Sequence, residues 1–170
     1  MARPKPEDYP PFYETYVSLV KEEDVHQAIS SSLVELKSNL SEITNEKGTY
    51  AYAPGKWTVK QLLQHAIDAE RIFQYRALCI ARGEQQSLPG FDENSYAANA
   101  DASDRHLKDL KEEMMNLRQS GLMMFQSFTP FMLQQKGTAN NSPITALSLG
   151  YILIGHWRHH WGILKSRYGI

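Results

Sequence analysis

The sequence predicts an all-α protein, folded as a single four-helix bundle. Four long stretches place apolar residues every three or four positions, which is the periodicity of an amphipathic helix. No stretch shows a convincing strand pattern. The chain has 170 residues, of which 42% are hydrophobic and 22% are charged. This length and this hydrophobic content are enough for one domain, residues 1–170, with a buried hydrophobic core.

The composition argues against several classes of protein. A net charge of −1 argues against a dedicated nucleic-acid binder, which would normally carry a basic patch. The single cysteine excludes an intrachain disulfide and fits a reducing compartment. No apolar run reaches the length of a membrane span, and the N-terminus lacks the apolar core of a signal peptide. We therefore expect a cytoplasmic protein with neither a nucleic-acid nor a membrane partner.

Residues 1–23 are predicted to form an N-terminal arm on the surface, proline-rich over residues 1–12. The first helix is expected to start near Asp24, because Glu22 and Glu23 suit its N-terminal dipole. Ser30–Ser32 are placed on its outer surface and flanks. Five side chains could attach the arm to the body: Tyr9, Phe12, Tyr13, Tyr16 and Val17. The first helix has an apolar stripe of Val25, Ile29, Leu33, Leu36, Leu40 and Ile43.

The second helix is predicted to begin at Thr58, an N-cap with Gln61 in the capping-box position. It runs to about Arg82 and stops at Gly83. Its apolar stripe consists of Leu62, Ala66, Ala69, Ile72, Phe73, Ala77 and Ile80. His65 lies inside this stripe, and Asp68 lies at its edge.

A long connection, residues 83–102, is predicted to cross over between the second and third helices. Ser103 is expected to cap the third helix, which runs through Phe128. Its inward residues are Leu107, Leu110, Met114, Leu117, Gly121, Phe125 and Phe128. Pro143 is predicted to stand in the first turn of the fourth helix, which extends to Tyr168.

The fourth helix carries three histidines within five residues. At about 100° per residue, His156 and His160 fall inside the apolar stripe, one turn apart, whereas His159 falls at its edge. Two such imidazoles can reach one metal ion. The alternative is a pair of core histidines that are hydrogen-bonded to polar neighbours. His65 supplies a third inward imidazole if the two helices are suitably staggered.

Three neutral imidazoles suit a divalent transition metal, namely Zn, Ni, Fe, Mn or Co, and this ligand set does not choose among them. Three protein ligands leave at least one coordination position open, which is typical of catalytic sites. Asp68 could orient a ligand histidine. The alternative for Asp68 is a solvated carboxylate at the helix edge.

The remaining polar residues are given structural roles. Arg76 and Arg118 project close to apolar stripes, and we expect both to form ion pairs, with Glu70 or Glu113 as partners. His26 and His106 are expected to be exposed in the first turns of helices, and Cys79 to be a small core residue.

The sequence resembles the DinB superfamily in five stretches. They are 52–65 (YAPGKWTVKQLLQH), 68–78 (DAERIFQYRAL), 88–92 (LPGFD) and 155–160 (GHWRHH) with 165–168 (KSRY). The resemblance implies a DinB/YfiT-like four-helix bundle, often a homodimer. It also implies a metal triad of one histidine on the second helix and two, four apart, on the fourth, which correspond to His65, His156 and His160. The family pattern leads us to expect an acidic residue after Gly155-His156, where this chain has Trp157-Arg158.

Three functional hypotheses follow. The first is metal-dependent hydrolysis of a small molecule, in which the ion lowers the pKa of bound water and Asp68, Asp92 or Glu93 assists. The second is metal-dependent transfer of a low-molecular-weight thiol, since characterised members of the family use bacillithiol or mycothiol, the latter in a maleylpyruvate isomerase. The third is a non-catalytic metal-binding protein. No motif for a particular thiol or leaving group separates the first two.

Overall fold

Four long helices build the protein in the computed structural model, which describes residues 3–170. Shorter helices and one hairpin lie between and before them. In chain order the elements are α1 (Glu14–Val17), α2 (Val25–Glu42), α3 (Val59–Ala81), α4 (Glu93–Asn99), α5 (Leu107–Gln126), α6 (Pro130–Leu133), β1 (Lys136–Ala139), β2 (Ser142–Thr145) and α7 (Ala146–Ile163). The predicted all-α four-helix bundle is confirmed, with α2, α3, α5 and α7 as its helices.

The bundle has an unusual order of neighbours. Both α2 and α3 pack against α5 and α7. One apolar cluster joins the C-terminal half of α2 to the N-terminal halves of α3 and α5 and to the C-terminal part of α7. Therefore α3 and α5 run parallel to each other and antiparallel to α2 and α7. Parallel neighbours require a connection that returns along the bundle, and residues 82–106 supply it. The predicted crossover is confirmed.

The helix starts follow local capping rules. The Asp24 side chain accepts hydrogen bonds from the backbone of His26 and Gln27 at the start of α2. Thr58 and Gln61 form the predicted capping box of α3. These side chains satisfy backbone N–H groups that have no partner inside the helix.

Two predicted helix starts are wrong. Ser103 does not cap the third helix, because it lies in a 3-10 turn, Ala102–Asp104, and α5 begins only after His106. Pro143 does not open the fourth helix, because it lies in β2 opposite Thr138. Thr145 caps α7 instead, through a capping box with Ser148.

The hairpin was missed because its strands have only four residues each. Its turn residues Asn140 and Asn141 both adopt positive φ, 49° and 58°. Asparagine tolerates this conformation, and tight hairpin turns require it. The hairpin also holds the crossover, since the Leu88 backbone N–H donates to the Thr138 carbonyl at 2.9 Å.

The N-terminal segment packs against the bundle. Tyr9, Tyr13 and Val17 are buried, whereas Phe12 is 59% exposed. The helix α1 lies against α7. Residues 1 and 2 of the predicted arm lie outside the described residues, and the extent of the domain stays a prediction.

A buried polar layer crosses the bundle between its two apolar clusters. Arg118 donates from Nε and Nη2 to the two carboxylate oxygens of Glu70, each at 2.7 Å. Its Nη1 donates to Ser32 Oγ at 2.8 Å. The predicted ion pair of Arg118 is confirmed. The outer position predicted for Ser32 is wrong, since Arg118 holds this hydroxyl inside the core.

Other single-residue predictions have mixed outcomes. Arg76 is buried but has no carboxylate partner among residues 3–170, so its predicted ion pair is not found. Glu113 pairs at the surface with Arg71 and Arg105. His106 is exposed, whereas His26 and Cys79 are half-buried.

Within the described part of the chain, no helix combines the length and apolarity needed to cross a bilayer.

Candidate metal centre

Three histidine side chains converge in the interior of the bundle. His65 stands in the second turn of α3, and His156 and His160 lie one turn apart on α7. Because α3 and α7 are antiparallel neighbours, the start of α3 lies beside the C-terminal half of α7. The Nε2 atom of His65 lies 3.2 Å from that of His156 and 3.2 Å from that of His160. The Nε2 atoms of His156 and His160 are 3.0 Å apart.

The donor set fits a divalent transition metal. Nitrogen ligands that are each about 2.0–2.1 Å from one ion lie about 3.0–3.4 Å from one another. Burial lowers the pKa of His65 to about 4 and that of His160 to about 3, and it lowers the pKa of His156 well below its ordinary value. The imidazoles are therefore neutral at pH 7, the form that binds metal.

The neighbouring histidine and the predicted carboxylate lie elsewhere. His159 is outside the cluster, half-buried, with its ring 5.4 Å from that of Tyr16. Asp68 accepts a hydrogen bond from Gln64 Nε2 at 2.9 Å. It lines a separate groove with Arg71, and burial raises the pKa of its carboxyl. The structure thus brings His65, His156 and His160 together and does not bring Asp68 to them.

A cavity of about 380 Å³ opens onto the three histidines. Aromatic side chains make up much of its wall: Phe12, Tyr13, Tyr16, Trp57, Phe73 and Phe91. The first three come from the N-terminal arm, which is predicted from the sequence to lie on the surface with no role in the site. The concentration of aromatic residues between positions 9 and 16, outside any amphipathic pattern, is the signal that could have indicated this role.

One loop carboxylate faces the cavity. Glu93, the first residue of α4, lines the cavity, and its charge partly opposes the lowering of the pKa of His65 by burial. Asp92 instead accepts a hydrogen bond from the backbone of Ser95 at 2.7 Å, as the N-cap of α4. Of the two carboxylates considered in the loop, Glu93 is therefore the one that lines the cavity shared with the histidines.

A second, smaller cavity also reaches the site. It has a volume of about 270 Å³ and is lined by Tyr52, Lys56 and Asn94, among others. Trp57 and His160 line both cavities. The Trp57 ring lies 4.9 Å from the His65 ring, so this tryptophan stands directly beside the histidine cluster.

Comparison with known proteins identifies the family. The family model of the DinB superfamily matches residues 29–164. The chain belongs to the DinB superfamily. A relative from Oceanobacillus iheyensis, provisionally named as a metal-dependent hydrolase, is 23% identical to this DinB protein in an alignment of 154 positions. The alignment covers 84% of each chain.

Two solved structures share the fold of this DinB protein. YfiT from Bacillus subtilis, described as a probable metal-dependent hydrolase with an unusual four-helix bundle topology, matches with a TM-score of 0.70 and 16% identity. The match covers 96% of this chain and 89% of YfiT. A mycothiol-dependent maleylpyruvate isomerase matches with a TM-score of 0.62 and 15% identity, over 90% of this chain and 60% of the isomerase. At identities of 16% and 15%, the structural similarity establishes the shared fold alone.

Proposed function

We propose that this protein is a metal-dependent hydrolase of a small-molecule substrate, with a divalent ion held by His65, His156 and His160. The observation that supports this most is the convergence of three buried, neutral Nε2 atoms at the wall of a cavity. Three protein ligands leave a coordination position open, as in catalytic rather than structural sites. The donor set is compatible with Zn, Ni, Fe, Mn and Co.

The side chains around the cavity have distinct roles in this proposal. The ion would supply Lewis acidity, which polarises a carbonyl group and makes water more acidic. Glu93 accepts the proton from the attacking water and returns it to the leaving group. Trp57, Phe73 and Tyr16 exclude bulk water from the reacting atoms, which strengthens electrostatic interactions there. Asp68 has no part in this scheme.

Transfer of a low-molecular-weight thiol is the second candidate. The second cavity supports it, because two cavities that share Trp57 and His160 could hold two reactants at one centre. The solved isomerase that shares this fold is mycothiol-dependent by its description. A non-catalytic metal-binding protein is the third candidate. A cytoplasmic location and a homodimer stay predictions.

Metal analysis followed by a nucleophile screen tests the proposal. The purified protein is loaded with each candidate metal and assayed with activated esters and amides, once with water as the only nucleophile and once with added thiols. Hydrolysis without thiol supports the first candidate, and strict dependence on thiol supports the second. Absence of both reactions in metal-loaded protein would favour the third.

Matched variants connect any activity to the site. His156→Ala and His160→Ala should lose bound metal and activity together. His159→Ala is the control, since it removes the neighbouring imidazole that lies outside the cluster. Glu93→Gln should keep the metal and lower kcat by about 10²–10⁴-fold, the usual contribution of a general base. Undiminished metal in both His156→Ala and His160→Ala would reject the proposed ligands.

A further inference from the structure

Arg76 is a buried cation in the wall of the cavity that contains the three histidines. Its side chain is 3% exposed, and it lines the same cavity. No carboxylate among residues 3–170 pairs with it, in contrast to Arg118, which Glu70 neutralises. An isolated charge is costly to bury. Glu93 lines the same cavity, but its carboxylate forms no ion pair with Arg76. An anion that entered the cavity would therefore provide the paired counter-charge that residues 3–170 do not.

The neighbours of Arg76 orient its guanidinium without neutralising it. Nη2 donates to the Pro89 carbonyl at 2.6 Å. The charge of the guanidinium also opposes the rise that burial causes in the pKa of the Tyr13 hydroxyl, which lines the same cavity. The Phe91 ring centroid is 6.0 Å away. A guanidinium has five N–H donors in a planar fork, so donors remain for a ligand.

Arg76 and His65 lie on the same face of α3. At 100° per residue, eleven residues bring the chain almost back to the starting direction, with a rise of about 16 Å. Helical side chains lean toward the N-terminus, so the long arginine side chain shortens this gap. Between the two residues, the Phe73 ring lies 5.5 Å from the His156 ring and 6.2 Å from the Tyr13 ring. The cavity thus has a cationic end, an aromatic middle and a histidine end.

We propose that Arg76 binds an oxyanion group of the substrate, a carboxylate or a phosphate. The substrate is an elongated amphipathic acid: its apolar segment lies along Tyr13 and Phe73, and its reacting group lies at the histidine cluster. Arginine suits this role because its fork matches both oxyanions in bidentate geometry. The inference rests on the proposed function only for what happens at the histidine end.

Calorimetric titration of metal-free protein with matched probes tests this inference. The protein is kept free of metal so that the acid group of a probe cannot bind to an ion at the histidine cluster instead of to Arg76. The carboxylate pair is 3-phenylpropionate and 3-phenylpropionamide, and the phosphate pair is 2-phenylethyl phosphate and 2-phenylethanol. Wild-type protein should bind at least one acid about ten- to a hundredfold more tightly than its neutral partner. Equal affinities within both pairs would overturn the proposal, and the preferred pair identifies the oxyanion.

Variants separate charge recognition from a structural role, since Arg76 also holds Pro89. Arg76→Gln should abolish the preference for the acid, and Arg76→Lys should keep part of it, as a point charge without the planar fork. Arg71→Gln is the control, because it removes an exposed arginine of the same helix that does not line this cavity. It should preserve the preference. A preference that survives in folded Arg76→Gln, or disappears in Arg71→Gln, would contradict the proposal. The wild-type comparison remains decisive if Arg76→Gln does not fold.

The outcomes for anion binding and for hydrolysis are independent. Discrimination by metal-free protein, with no hydrolysis by metal-loaded protein, would retain the oxyanion site and reject the proposed function. Hydrolysis by metal-loaded protein, with no preference of metal-free protein for the acid probes, would retain the proposed function and reject the oxyanion site. If both hold, an amphipathic ester that carries a carboxylate should have a lower KM than its neutral analogue, and Arg76→Gln should remove that difference.

Discussion

The backbone of Tyr16 occupies the space that a side chain at Gly155 would need. A Cβ built on Gly155 would lie 2.0 Å from the Tyr16 carbonyl oxygen and 2.5 Å from its carbonyl carbon. This close approach brings α1 against α7 one residue before His156, and it places the Tyr16 ring 5.2 Å from the His156 ring. The glycine therefore determines how the N-terminal segment forms the wall of the cavity.

Gly155→Ala should destabilise the protein and disturb the cavity. The clash is with backbone, which cannot move away by changing a rotamer, so overpacking of about 1–3 kcal/mol is expected. Detachment of α1 would also expose the histidine cluster to solvent. Chemical denaturation measures the loss, and fluorescence quenching of the tryptophans reports the opening of the cavity.

Gly162→Ala is the matched control on the same helix. A Cβ at Gly162 meets no atom within 4 Å, and the residue is exposed. Alanine is favoured over glycine inside a helix by about 0.5–1 kcal/mol, so this variant should be slightly more stable than the wild type. Equal effects of the two substitutions would show that the contact with Tyr16 carries no energetic weight.

Periodicity predicted the bundle and placed His65, His156 and His160 on inward faces, because helical spacing decides which residues of one helix share a buried face. Whether the three would meet depended on the stagger of α3 and α7, which the spacing within each helix does not give. It could not predict that Tyr13 and Tyr16 would line the site, since that contact depends on the open space at Gly155, far away in sequence. Pro143 was misplaced because a proline suits both the first turn of a helix and an edge strand. Arg76 was predicted to form an ion pair, and sequence spacing gave no indication that it faces a cavity.

Arg118→Met should be among the most damaging single substitutions. It would leave the Glu70 carboxylate, which is 2% exposed, without its cationic partner inside the bundle. Breaking a buried pair in this way costs about 3–5 kcal/mol. The double variant Arg118→Met with Glu70→Leu should recover much of that loss, because it removes both charges. Urea denaturation of the wild type, the single variant and the double variant measures this. A single variant as stable as the wild type would contradict the prediction.

Stability should depend on pH through Glu22. Arg158 donates to both oxygens of this carboxylate, at 2.8 and 3.0 Å, and these bonds lower the pKa of Glu22 from 4.5 to about 2. A carboxyl with a lowered pKa in the folded state stabilises the protein above pH 4.5, and the contribution is lost as the pH falls toward 2. Glu22→Gln should therefore be less stable than the wild type by about 1 kcal/mol at pH 7, given partial exposure.

The difference in stability between the wild type and Glu22→Gln identifies the contribution of Glu22, because all other groups titrate in both proteins. Thermal melts from pH 7 to pH 2.5 should show a difference in melting temperature that stays constant down to about pH 4.5 and then becomes smaller. A difference in melting temperature that is independent of pH would mean that the substitution acts through packing and not through the charge of Glu22.

Removing the metal should leave the protein folded. The two apolar clusters extend along all four long helices, whereas the proposed ion would contact only α3 and α7. Loading with metal at 100 to 1,000 times its dissociation constant should raise stability by about 2.7–4.1 kcal/mol. Chelation should therefore lower the melting temperature while the helical circular dichroism signal and a cooperative transition remain. His160→Ala should show no metal-dependent shift, and His159→Ala should shift like the wild type. Complete loss of helix on chelation would make the ion structural, and the non-catalytic metal-binding protein would then be the better account.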